Sequence, residues 1–151
     1  MESITRQKAA QAVTDAFILQ DFQWGERDCL KLALAAVEAA GLAVPDLPKY
    51  STELGAAKAL KKADHADLVA AIDSLGFARV APMAAWPCDI IAIEGDETVL
   101  GGWTLGMAIG GNRALSFVAH ADRHFCDELD LFDLGVNAVK AGKTVLAWRV
   151  A

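Results

Sequence analysis

Through the first half of the chain, apolar positions recur at helical spacing. Over residues 4–20, Ala9, Ala12, Val13, Ala16 and Phe17 share one face, which predicts an amphipathic helix. "DFQWGERD" comes next as a turn hinged at Gly25. A second helix is predicted from Cys29 to Gly41, a glycine suited to a left-handed C-terminal position. "LAVPDLPKYS" reads as a loop, because Pro45 and Pro48 interrupt any regular run. Two shorter helices are predicted over 52–62 and 64–75, the second capped by Asp64 and closed by Gly76.

The period then changes. "FARV", "DIIAIE", "ETVL", "WTLGMAIG", "RALSFVAH" and "TVLAWRV" are short β-like runs broken by Pro, Gly and Asp. Helices followed by antiparallel strands predict one α+β domain over residues 1–151, with N-terminal helices packed on a C-terminal antiparallel sheet. Strand parity adds a register. Facing Leu105, Met107 and Ile109 with Leu115 and Phe117 requires paired residue numbers to sum to an even value. A three-residue loop, Gly110-Gly111-Asn112, meets this and pairs Thr104 with Val118; a two-residue turn sets large residues against small ones.

Composition narrows the function classes. The chain is 54 % hydrophobic with a formal net charge of −6, so it is built to fold and poorly suited to bind nucleic acid, which needs a basic face. Lys58, Lys61 and Lys62 read as a solvated helix face. The Ala-rich runs are too short to span a membrane, and "MESITRQKAAQAV" has no apolar core or cleavage site of a signal peptide. Three cysteines without a C-x-x-C pair suit a reducing compartment.

Cys29 is the candidate reactive group. If Asp28 caps the helix, the thiol lies in its first turn, where unpaired N–H groups favour a thiolate and could face an oxyanion. The alternative is a small buried core residue, the ordinary state of a free cysteine and the reading for Cys88 and Cys126. His65 reads as solvent-facing. His120, Asp122, His124 and Cys126 alternate, so an extended chain would bring four potential metal ligands to one face. An exposed edge or loop explains the same pattern, and no metal or cofactor is expected. "GGNR" reads as a hairpin turn, and Trp86, Trp103 and Trp148 as core or groove walls.

Several motifs in order resemble the NlpC-type cysteine peptidases, papain-like enzymes that cleave cell-wall peptides. "FQWGERDC", with Trp24, Gly25, Asp28 and Cys29, resembles their nucleophile motif, and "KYS", with Tyr50, a recurring tyrosine loop. "PCDIIAI", with Asp89, resembles a strand that usually reads Gly-Asp, "LGMAIGG" the next strand, and "AWRV" the ending of a branch found in phages and gene-transfer particles. The resemblance implies a papain-like fold with Cys29 as nucleophile. Two positions depart from it. Thr104 stands where the activating histidine usually begins a strand, and a hydroxyl cannot take a proton from a thiol near neutral pH. Cys88 replaces the glycine before Asp89.

The expectation is a tail-tip or tail-assembly protein, weak or inactive as a murein peptidase, located in the virion tail or in the bacterial cytoplasm during assembly. Its expected partners are tail-tip or hub proteins and murein peptides. An active peptidase or amidase using Cys29 with a substitute base is the alternative, as is a host-encoded acyltransferase of the same fold. On the favoured register His120 shares the face of Thr104 and is the candidate base; the alternative is that the strand ends before residue 120 and the imidazole points into solvent.

Overall fold

The computed structural model describes residues 3–95 and 102–151. Four helices come first: α1 (Ser3–Phe17), α2 (Cys29–Ala39), α3 (Glu53–Lys62) and α4 (Leu68–Asp73). Strands β1 (Arg79–Val80), β2 (Ile90–Glu94), β3 (Trp103–Gly110), β4 (Arg113–His120) and β5 (Arg123–Asp130) come after them, with a 3₁₀ turn at Pro82–Ala84. Helix α5 (Leu131–Ala141) and strand β6 (Val145–Trp148) complete the order. The strands form one antiparallel sheet, β1-β6-β2-β3-β4-β5, so the domain is α+β. Among the described residues no helix is long and apolar enough to cross a membrane.

Local chemistry explains most boundaries. Asp28, Thr52, Asp67 and Asp130 each cap a helix by accepting a hydrogen bond from a backbone N–H three residues on. Asp67, not the predicted Asp64, caps α4; Asp64 instead takes a positive φ of 63° in the turn before it. The predicted first helix is shifted and rotated. It stops at Phe17, its buried stripe runs through Arg6, Ala9, Ala10 and Val13, and Ala12 and Ala16 face water. Arg6 moves the stripe, because its guanidinium has a partner inside the protein. Lys58, Lys61 and Lys62 are exposed, as their spacing implies.

Helices α1 and α2 cover one face of the sheet, where Leu32, Ile90, Leu105, Met107, Leu115 and Trp148 pack in the main core. On the other face, Leu131 of α5 joins Ile91, Ala108, Ala114 and Ala147 in a smaller cluster. The β3–β4 register has the even sum: Gly106 pairs Ser116, Met107 pairs Leu115 and Ala108 pairs Ala114. Closure occurs differently. Gly111 and Asn112, at φ 60° and 59°, form a two-residue turn, and a bulge at Ile109–Gly110 restores the parity that such a turn would break.

Strand β5 and helix α5 have no counterpart among the predicted elements. "RHFCDELD" alternates weakly because one face of an edge strand meets water, and Gly135 and Asn137 dilute the helical signal of "LFDLGVNAVKA". The "ETVL" run lies outside the described residues.

Candidate functional site

The site begins with the chain between α1 and α2. Residues 19–22 run along the free edge of β5: Leu19 N–H donates to Cys126 O, Cys126 N–H to Gln20 O, and Phe22 N–H to His124 O. Arg123 bonds Asp21 and the Leu19 carbonyl, which ties this segment down. Phe22 therefore sits over β5, stacked on the His124 ring at 4.3 Å and edge-on to Phe117 at 5.4 Å and Trp24 at 4.8 Å.

The chain turns back at Gly25, whose φ is 82°. A Cβ there would lie 1.9 Å from the Tyr50 carbonyl oxygen, so both the conformation and the close approach require glycine. Asp28 organises the start of α2. One oxygen accepts from Lys31 N–H at 2.8 Å as the helix cap; the other accepts from Gly25 N–H and the Tyr50 hydroxyl, both at 2.8 Å. The motif residues Gly25, Asp28 and Tyr50 thus form one hydrogen-bonded unit, with Trp24 beside it in the groove wall. The Asp28 carboxylate caps the helix, and its charge still reaches the Cys29 sulfur.

Cys29 lies at the inner end of a groove of ≈ 730 Å³ walled by Phe22, Trp24, Trp103, Phe117 and His124, with Thr104 also bordering it. Cys29 is buried, 7 % exposed. Burial pushes its pKa up to about 12; hydrogen bonding with the Leu105 backbone opposes this, the Asp28 charge adds to it, and the N–H groups of Cys29 and Leu30 oppose it. The helix N-terminus is therefore present, but the thiolate it was expected to favour is not: desolvation outweighs the N–H groups. Cys88 and Cys126 are also buried, with pKa values raised by burial to about 11 and about 12.

His120 remains in the strand but its ring is exposed, and His124 is the histidine that reaches the groove. The hairpin turns at Ala121-Asp122, so His120 pairs with Arg123 and Ala119 with His124. The alternation through Cys126 is folded in two, and the four residues do not share a face. His124 lies on the side of Phe117, toward α2 and the groove, while His120 is exposed on the other side of the sheet and does not line the groove. The even register was right, but the thiol lies against Leu105, on the face of the odd-numbered residues. "HADR" held the signal for this, as a two-residue turn between strands. Among the described residues, no group of three or more His, Cys, Asp or Glu side chains could hold a metal ion.

Asp89 sits apart from the groove and binds the chain ends together. One oxygen accepts from Arg6 and Val150 N–H, both at 3.0 Å, and the other from Trp86 N–H and Arg149, both at 2.8 Å. Arg6 also donates to the carbonyls of Pro87 and Val150. Arg149 lies 3.4 Å over the Trp86 ring. Cys88, beside Asp89, adopts φ 76°, the conformation that glycine supplies most easily, and directs its sulfur to the Ala36 carbonyl of α2. Of the other tryptophans, Trp148 is core and Trp103 is groove wall.

Chemically, the groove offers aromatic faces, an imidazole and backbone donors around a protonated thiol. The chain belongs to the family described as domain of unknown function DUF6950, whose model matches residues 2–150. No curated protein and no solved structure gives a significant match.

Proposed function

We propose that this chain is a tail-tip or tail-assembly protein of a phage or gene-transfer particle, built on an NlpC-like papain-type fold that keeps a peptide groove without efficient peptidase chemistry. The observation that carries this reading is the Cys29 environment. The sulfur is buried at a helix N-terminus, with burial holding its proton, and Thr104, which borders the same groove, stands where the resemblance sets the activating histidine. The arrangement of Gly25, Asp28 and Tyr50 supports the fold assignment, since they are hydrogen-bonded as one unit around the start of α2, with Trp24 and Cys29 lining the groove beside them. Its partners are hub or tail-tip proteins, which carry the chain within the particle, and murein peptides are the second class of occupant for the groove.

The decisive experiment is an assay of the purified chain on murein peptides. Turnover is expected to be absent or reduced by about two to four orders of magnitude relative to an enzyme with its general base in place. Robust hydrolysis abolished by Cys29→Ala overturns the non-catalytic reading. Detection of the chain in purified particles supports the tail assignment; particles lacking it, with the chain confined to the host cell, reject a virion location.

The second reading is an active peptidase or amidase, and His124 is the observation that favours it. It lines the same groove as Cys29, whereas His120 does not. On that reading His124→Ala removes turnover and His120→Ala leaves it intact.

A further inference from the structure

Helix α5 has two apolar faces of different fate. Leu131 and Leu134 face the sheet and complete the smaller core. Roughly 140° around the helix, Phe132, Val136 and Val139 remain 60 %, 37 % and 80 % exposed. Pro82 and Met83 flank this stripe, forming with it an apolar groove of ≈ 580 Å³. A Cβ added at Gly135 would meet nothing within 4 Å, so the groove is open where Gly135 lines it. Scattered exposed valines need no explanation, but a contiguous stripe along one helix does.

We propose that this face joins two copies of the chain, with α5 packed antiparallel against α5 of the partner about a two-fold axis. Positions 132, 136 and 139 have the i, i+4, i+7 spacing of a two-helix seam. The charges beside the seam select the orientation. Asp133 and Lys140 lie seven residues apart, on the same flank of the stripe. An antiparallel pairing that sets Val136 against the partner's Val139 places Asp133 beside the partner's Lys140. The same axis places Lys140 beside the partner's Asp133, so the surface is complementary to itself, as a two-fold interface must be. A parallel pairing would put this flank of each copy on opposite sides of the seam, leaving Asp133 and Lys140 unmet by each other. Among the described residues neither Asp133 nor Lys140 has an ion-pair partner within its own chain. With a net charge of −6, two copies repel one another generally, which favours contact at a rim that carries both signs.

Sedimentation of the full chain over a micromolar-to-millimolar series tests the proposal. The mass is expected to double along the series. Asp133→Lys and Lys140→Asp should each weaken self-association about tenfold by placing like charges at both symmetric pairs. An equal mixture of the two variants should re-form a dimer near wild-type affinity. The first variant carries cations at both rim positions and the second carries anions at both, so opposite charges meet at each symmetric contact of the mixed dimer. Val139→Ser, at the most exposed seam position, should weaken association without altering the circular dichroism spectrum. A wild-type chain that stays monomeric, or a dimer that none of these changes affects, overturns the proposal. The outcome does not depend on whether Cys29 is catalytic.

Discussion

Asp28 and Asp89 are two buried carboxylates, 1 % and 0 % exposed, that carry two of the motifs and hold together two different regions. Asp28, at the start of α2, receives its hydrogen bonds from two backbone N–H groups and a phenol, all neutral. Asp89, at the start of β2, accepts from two backbone N–H groups and two arginines. Satisfying hydrogen bonds is therefore distinct from neutralising charge. At Asp89 the negative charge is matched, and the result is a clasp joining α1 to the C-terminal end. At Asp28 no cation donates among the described residues, and the charge adds to burial in raising the pKa of both Cys29 and Tyr50. The groove region thus holds its thiol in the proton-bearing form, while the clasp is structural.

The largest expected effect comes from breaking the clasp. Asp89→Ala strands the buried Arg6 and the partly buried Arg149 and should destabilise the fold by about 3–5 kcal/mol. Asp28→Ala should cost about 1–3 kcal/mol, the loss of a cap and of partners for neutral donors. Urea unfolding of both variants measures the contrast, and equal losses would erase it.

Alkaline pH acts on the groove side and on the other buried thiols. An unfolded thiol ionises near 9.0, whereas Cys29, Cys88 and Cys126 hold their protons to about 12, 11 and 12. Below 9.0 both states are protonated and nothing is lost; above it the unfolded state sheds protons that the folded state keeps. Stability should therefore fall with rising pH, by up to about 1.4 kcal/mol per pH unit for each thiol. Cys29→Ala should reduce that slope in urea titrations above pH 9.0. An unchanged slope would mean that burial does not hold the proton on this sulfur.

Replacing only the charge gives a smaller effect. Asp28→Asn should raise the rate at which iodoacetamide labels Cys29 by roughly three- to tenfold, since removing a neighbouring anion lowers the thiol pKa. Asp89→Asn should leave that rate unchanged, and the two variants together isolate the field of Asp28 from its packing. In the wild type none of the three thiols is expected to label quickly at neutral pH. Tyr50→Phe should have the smallest consequence, about 1 kcal/mol for one hydrogen bond to Asp28.

Much of the site was legible from short patterns. The cap at Asp28, the start of α2 at Cys29, the turn at Gly25 and the β3–β4 parity all depend on residues close in sequence or directly opposite in one hairpin. The identity of the groove imidazole was not, because an alternating run reads the same whether the strand continues or folds at Ala121-Asp122. A one-turn difference there exchanges His120 for His124.

Sequence alone determined the four early helices, most of the strands, the α2 cap and the parity of the β3–β4 hairpin, because hydrogen-bond geometry and side-chain alternation act over a few residues. Tertiary structure decided that an arginine is buried in α1, since Arg6 meets Asp89 across 83 residues of chain. It also decided the state of the Cys29 thiol. A helix N-terminus can be read from a cap, but the desolvation that overrides it comes from groove walls contributed by β3, β4, β5 and the segment before α2, which only the folded chain brings around the sulfur.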